Sequence, residues 1–244
     1  MKKLAVIPSR YGSSRFPGKP LIDLAGKSMI QRVYEGVENS GLFDTTIVAT
    51  DDQRIFDHVQ SFGGSVLMTS TKHQSGTERC GEVIDHYSDH EIIVNIQGDE
   101  PLVNKEQLSQ LLSAFNDLST EIATLGTIIK NKEELYDKNR IKIVLNQKGE
   151  GLYFSRSPIP FNVEDKNEYP FLRHIGLYGF RRETLQKLIE YSPTLLEKSE
   201  SLEQLRWLYY GHKIQVIITS IETPNIDVPE DVQHVLNALK SIKE

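Results

Sequence analysis

LAVIPSRYGSSRFPGKP, Leu4 to Pro20, runs from a short apolar β-branched strand (Leu4 to Ile7) directly into a loop holding two glycines, two serines and three cations in the eleven residues from Arg10 to Pro20. Apolar residues at spacings of four follow in Met29-Val33-Val37, a helix beginning near Ser28, and then a second strand, Thr45 to Ala49. Strand, loop, helix, strand is the pattern of a βαβ crossover. It recurs outward along the chain. Further strands are predicted at Ser65 to Met68, Ile92 to Ile96, Ile122 to Ile129, Ile141 to Leu145, Ile175 to Phe180 and Ile214 to Thr219. Helical spacings intervene at Ile55-Val59-Phe62 and Leu108-Leu111-Leu112-Phe115, and Val232-Val235-Leu236-Leu239 closes the chain. Alternation of this kind predicts an α/β fold with a mostly parallel mixed sheet and helices on both faces. Between Gly151 and Arg173 the order loosens, with Pro158, Pro160 and Pro170 among charged residues. That stretch reads as an irregular excursion, a small lobe or a subunit contact, within a single domain spanning residues 1–244.

Composition narrows the function. At 244 residues and 38% hydrophobic content the chain can bury a core without staples, and its one cysteine, Cys80, forms no internal disulfide. This suits a reducing cytosol. The opening MKKLAVIPSR holds too short an apolar run for a signal peptide, and no run approaches the roughly 20 residues that span a bilayer. A formal net charge of 28 − 34 = −6 argues against nucleic-acid binding, which depends on Lys and Arg neutralising phosphates. Any phosphate site must be a local concentration of positive charge.

The Arg10 to Pro20 loop is such a concentration, and it stands where open α/β sheets bind ligands, past the carboxyl end of a strand. Small residues expose backbone amides to phosphate oxygens while Arg10, Arg15 and Lys19 supply charge, a composition suited to a triphosphate. A P-loop is excluded because Gly12 to Gly18 is one residue too long and Pro20 stands where a hydroxyl is required. The dinucleotide fingerprint is absent. A plain basic surface loop is the competing reading. Ile92 to Ile96 runs into Gln97-Gly98-Asp99-Glu100-Pro101, which makes Asp99 a natural ligand for a hard cation; magnesium needs only one or two protein carboxylates besides phosphate oxygens. Asp227, ahead of the last helix, is a candidate second acid, with a helix-entry role as the alternative. In His73-Gln74-Ser75-Gly76-Thr77-Glu78-Arg79, Ser75 and Thr77 can cap a helix, which leaves His73, Gln74 and Arg79 for a nucleobase edge or a sugar carboxylate. No spacing suits structural zinc, and no nucleophile elbow precedes a helix.

The segments HQSGTER, VNIQGDEP, LYFSRSPIP, FLRHIGLYGF and LEQLRWL, with the Arg10 to Pro20 loop, closely resemble the 3-deoxy-manno-octulosonate cytidylyltransferase (CMP-Kdo synthetase) family in order and spacing over nearly the whole chain. The resemblance implies a cytosolic homodimer with a GT-A-like nucleotidyltransferase fold, converting CTP and Kdo to CMP-Kdo and pyrophosphate for lipopolysaccharide biosynthesis. It implies that Arg10, Ser13 and Lys19 bind the triphosphate, that Asp99 and Asp227 hold Mg2+, and that Gln97 with His73, Ser75, Gly76 and Arg79 forms the nucleotide pocket. Arg156, His174, Tyr178, Glu203 and Gln204 would bind the sugar; taken alone, each of these reads as an ordinary core or surface residue. One departure is Val228, where the family commonly carries a threonine beside the metal-binding aspartate. The implied chemistry is in-line displacement at the α-phosphorus by the anomeric hydroxyl, which requires positioning and charge stabilisation more than a side-chain base. Rival readings are a cytidylyltransferase for an amino variant of Kdo or for sialic acid, and a nonenzymatic nucleotide or sugar sensor. A glycosyltransferase of the GT-A type would want an acid-x-acid pair, a spacing that Asp99-Glu100 lacks.

Overall fold

The computed structural model describes residues 1–12, 16–163 and 170–243. The chain divides into two compact units, one formed by Met1–Leu108 with Thr223–Glu244 and the other by Ser109–Glu222.

The first unit contains β1 (Lys3–Ser9), α1 (Met29–Ser40), β2 (Thr45–Thr50), α2 (Gln53–Ser61), β3 (Val66–Met68), α3 (Gly76–Ile84) and β4 (Ile92–Asn95), and ends in α4 (Lys105–Ser113). Its strands pair in parallel in the order β3-β2-β1-β4. Leu4, Ala5, Val6 and Ile7 of β1 are wholly buried, as an inner parallel strand covered on both faces requires. Helix starts follow capping chemistry: Ser28 Oγ accepts from Gln31 N at 3.2 Å and Ser75 Oγ from Glu78 N at 3.1 Å. The chain winds outward from β1 through β2 to β3, then crosses back to place β4 on the other side of β1. That reversal opens a crevice past the carboxyl ends of β1 and β4. Gly98, just beyond β4, is set by close packing there, since a Cβ at this position would stand 2.9 Å from the Pro8 carbonyl oxygen.

The second unit contains β5 (Ile122–Ile128), α5 (Lys132–Tyr136), β6 (Lys142–Leu145), β7 (Gly151–Ser155), β8 (Leu172–Arg181), α6 (Arg182–Leu188), α7 (Leu195–Glu200), α8 (Gln204–Tyr209) and β9 (Ile214–Ile218). β5 runs antiparallel to β8 and parallel to β9, while β6 pairs antiparallel with β7 and with β8. The α/β class and mixed sheet therefore stand, with antiparallel pairing concentrated in this unit. One expectation is corrected. The irregular stretch does not begin at Gly151, because Gly151–Ser155 pairs with β6 across a turn in which Gly149 takes φ +76°. The three prolines lie beyond that strand, so they do not interrupt it. The last helix, α9 (Asp231–Lys243), belongs to the first unit, where Val235 and Leu239 join Leu24, Met29 and Ile226 in one apolar cluster.

Lys142 of β6 is fully buried, with Nζ donating to the carbonyls of Asp137 (2.9 Å), Arg140 (2.6 Å) and Arg156 (2.6 Å). All three ammonium protons are thereby used, and the site is a cationic pin through three backbone segments. Lys142→Met would leave three carbonyls unsatisfied, and urea unfolding should show a loss of about 3 kcal/mol or more. A loss below about 1 kcal/mol would mean that water reaches the site.

Candidate active site

Three stretches of the first unit meet past the carboxyl ends of β1 and β4 and line a cleft of about 560 Å³. Ser9 comes from the end of β1, Arg10, Gly12 and Lys19 from the loop after it, Gln74, Ser75, Gly76 and Arg79 from the entry and first turns of α3, and Gln97, Gly98 and Asp99 from the turn after β4. The loop folds back on itself. Gly18 N donates to the Tyr11 carbonyl at 2.9 Å, and Gly18 adopts φ +73° against the Tyr11 ring, which the Arg54 guanidinium covers at 3.2 Å from its centroid. Its two ends, Arg10 and Lys19, are thus both carried to the cleft. Ser13 and Arg15 lie outside the described residues.

Lys19 Nζ donates to Asp99 Oδ2 at 2.9 Å and to the Ile226 carbonyl at 2.7 Å, while Ile226 N donates to the Asp99 carbonyl at 3.0 Å. Residues 19, 99 and 226 are joined at one point, which brings Asp227 beside it. Asp227 Oδ2 accepts from Asn225 at 2.9 Å, and the Asp231 carboxylate accepts from Asp227 N and Val228 N at 2.8 and 2.9 Å. Asp231, rather than Asp227, therefore supplies the helix-entry carboxylate. Among the described residues no group of three or more metal-ligating side chains occurs. Asp99 lines the cleft with a hard oxygen donor of the kind a small hard cation takes, while Asp227, next to Ile226 in sequence, is not among the residues that line it.

Arg10 donates to the His73 carbonyl, and His73 does not itself line the cleft. Its ring faces Glu82. Burial alone would raise the pKa of Glu82, but the Ser70 amide, the His73 ring and the nearby Arg79 charge outweigh it and hold it below the ordinary carboxylate value. Arg79 borders the cleft although its side chain is fully buried, and its guanidinium is committed to Asp51 Oδ2 at 2.8 Å and to Thr69 Oγ1. Asp51 and Glu82 went unmarked in the sequence. For Asp51 a signal existed, since it directly follows β2 as Asp99 nearly follows β4.

The five residues expected to contact a sugar all lie in the second unit. His174 stands between aromatic rings, with centroids 5.4 Å from Phe154 and 5.2 Å from Tyr178, and its Nε2 is 3.0 Å from Thr124 Oγ1. Desolvation, with Arg173 nearby, lowers its pKa to about 3. The ring is therefore neutral at ordinary pH, a hydrogen-bonding group and not the cation that an acid sugar would call for. Burial pushes Tyr178 well above the usual phenol value. Its ring packs edge-on to Trp207 at 5.0 Å. Gln204 is also buried, with Nε2 lacking a partner among the described residues. Arg156 faces the backbone: Nε donates to Glu200 O at 2.6 Å, Nη1 to Lys138 O at 2.9 Å and Nη2 to Ser201 O at 3.2 Å. Glu203 directly precedes α8 with helical backbone angles, and its side chain makes no capping hydrogen bond to the helix.

A family model described as Cytidylyltransferase matches residues 4–214. The 3-deoxy-manno-octulosonate cytidylyltransferase of Parabacteroides distasonis is 46% identical over 246 residues, covering 97% of this chain and 97% of that protein. Its counterpart from Porphyromonas gingivalis is 47% identical, covering 98% and 96%. Among solved structures, CMP:2-keto-3-deoxy-manno-octonic acid synthetase complexed with CTP matches with TM-score 0.93 and 39% identity, over 100% of both chains. The 4-diphosphocytidyl-2C-methyl-D-erythritol synthase from Anaerococcus prevotii matches with TM-score 0.62 at 13% identity, over 98% and 99%, a likeness of fold alone. The expected nucleotidyltransferase fold is borne out by these likenesses.

A pH test follows from His174. Its folded-state pKa of about 3 lies below the ordinary 6.5, so its contribution to stability is complete above pH 6.5. As pH falls the unfolded chain takes up a proton that the folded chain does not, and stability drops by about 1.4 kcal/mol per pH unit from this group. The urea stability of wild type minus that of His174→Phe should therefore decline steadily from pH 6.5 toward pH 4. A difference independent of pH would show that the imidazole is not held neutral.

Proposed function

We propose that this chain, which belongs to the 3-deoxy-manno-octulosonate cytidylyltransferase family of nucleotidyltransferase enzymes, binds CTP in the cleft of its first unit and transfers the CMP group to Kdo, releasing pyrophosphate. The observation that carries the proposal is the Lys19 junction, which sets an ammonium and the Asp99 carboxylate on one crevice at the reversal of strand order and ties them to the Ile226 backbone, next to Asp227 in sequence.

In this reading Arg10 and Lys19 bind the triphosphate, with backbone amides of the first loop, including that of Ser13, on phosphate oxygens. Lys19 uses two of its three N–H groups on Asp99 and Ile226 among the described residues, which leaves one to reach a phosphate. Charge growing toward the pyrophosphate is offset by these two cations, held in place beforehand by the folded loop. Gln97, Ser75 and Gly76 border the nucleotide, while Arg79, braced by Asp51, keeps the wall of the pocket in shape. Asp99 and Asp227 would hold Mg2+, which would supply positive charge against the phosphates and make a hydroxyl more acidic. Val228 leaves Asp227 without a neighbouring hydroxyl, and the Asn225 amide gives its carboxylate another partner.

Kdo selection is assigned to His174, Tyr178, Glu203 and Gln204, with Arg156 shaping the segment. Support comes from the buried Gln204 Nε2, a donor without an acceptor among the described residues, since such a donor costs about 1–3 kcal/mol unless a ligand supplies one. Neutral His174 fits a hydroxyl-rich sugar through hydrogen bonds. A cytoplasmic homodimer completes the proposal. Exposed Tyr136, Phe161 and Val163, beside an apolar hollow in the second unit, are the surface offered for the subunit contact. No helix among the described residues is long and apolar enough to cross a membrane.

Pyrophosphate release from CTP with Kdo is the direct assay. Activity should require Mg2+ and vanish on chelation, and Kdo should be preferred over sialic acid. Lys19→Ala and Asp99→Ala should each lower turnover by about a hundredfold or more, the scale for removing a preorganised electrostatic group. Wild-type rates in either variant, or equal rates with all sugars, would overturn the respective assignment.

A further inference from the structure

Glu78 and Glu82 do not line the cleft, yet they hold its rim. They are four residues apart on α3 and so share one face of the helix. Glu82 Oε2 accepts from Ser70 N at 2.9 Å and from His73 Nε2; an ionised carboxylate only accepts, so that ring nitrogen carries the proton. Glu78 Oε2 accepts from Gln74 N at 2.7 Å and stands 4.0 Å from His73 Nδ1. Three points of the segment from Ser70 to Gln74 are thereby pinned to one helix face by charge-assisted bonds. The carbonyl of His73 lies between those pins, and it is the group that accepts from the Arg10 guanidinium.

We propose that Glu82 is a positioning residue for the nucleotide, acting through His73 to hold Arg10 at the edge of the cleft. The inference rests on reading that cleft as the CTP site. An arginine side chain carries several rotatable bonds, and fixing it before the ligand arrives removes an ordering cost from binding. Without the carboxylate at position 82, the Ser70 amide and the His73 ring lose their shared acceptor, the His73 carbonyl is no longer fixed, and Arg10 loses its anchor. Glutamine at the same position keeps a side-chain oxygen for both donors.

The experiment is a double-mutant cycle on the full chain. CTP affinity by titration calorimetry and kcat/KM for CTP are measured for wild type, Glu82→Ala, Glu82→Gln, Arg10→Ala and the Glu82→Ala/Arg10→Ala double variant. Glu82→Ala should weaken CTP binding and lower kcat/KM by about tenfold, which is about 1.4 kcal/mol. Glu82→Gln should stay within about threefold, and adding Glu82→Ala to Arg10→Ala should cost less than about twofold, because the group acted upon is gone. Losses that simply multiply, or an unchanged CTP affinity in Glu82→Ala, would overturn the proposal. If Glu82→Ala is recovered unfolded, His73→Phe, which removes the ring that Glu82 holds, takes its place in the cycle with the same expectation. Wild-type protein that shows this coupling in CTP binding but releases no pyrophosphate with Kdo would sink the proposed activity and leave the role of Glu82 intact. Turnover with multiplying losses would do the reverse, and wild-type protein that binds no CTP would sink both.

Discussion

The ammonium of Lys19, placed between the Asp99 carboxylate and the Ile226 carbonyl, is the contact that ties together three distant stretches of the first unit at its crevice. Both side chains of the ion pair are largely shielded, at 12% and 27% exposure, so neither could be left without the other at small cost. In a chain with net charge −6, that pairing offsets the charge of the acid that lines the crevice, which the proposed polyanionic ligand would otherwise meet unpaired. The Gly98 backbone packed on the Pro8 carbonyl fixes the strand ends from which these side chains extend.

The second unit gives its cations two kinds of acceptor. Lys142 spends all three protons on main-chain carbonyls and the partly exposed Arg156 spends three of its five N–H groups on them, whereas the buried Arg173 and Arg206 pair with the carboxylates of Glu222 and Glu197. Burial denies His174 its proton. His174 and Tyr178 stand there as neutral groups packed on Phe154, Phe180 and Trp207. On the proposed reading, such groups would discriminate by hydrogen bonds left unmet when the wrong hydroxyl pattern enters, which is a stronger filter than charge alone.

Much of this was legible in the amino-acid order, and the limits have physical causes. The crossover from β1 and the placing of Arg10, Lys19 and Asp99 at strand ends follow from uninterrupted apolar runs bounded by glycine and polar residues, a local signal. Ser75 as a helix cap was equally local. Gly151–Ser155 was missed as a strand because its pairing partner, β6, is needed to see it, and the prolines that follow mask the end of its alternation. The fates of Arg79 and Arg156 depend on Asp51, and on carbonyls at 138, 200 and 201, none close enough in sequence to be inferred from spacing. Val228 could be read as a departure, whereas the Asn225 amide on Asp227 could be found only in the folded chain.

The first unit is assembled from two pieces of chain, residues 1–108 and 223–244, and the acceptor for Lys19 lies 207 positions downstream of it. Synthesis proceeds from the amino terminus, so a nascent chain has made β1 through β4 long before Ile226, Val235 and Leu239 exist to cover Leu24 and Met29. Throughout that interval the apolar patch stays open and Lys19 lacks one of its two acceptors, while the whole second unit is translated and free to condense by itself. A ribosome stalled anywhere before Thr223 would hold the parallel strands without the segment that covers Leu24 and Met29 and supplies the Ile226 acceptor to Lys19.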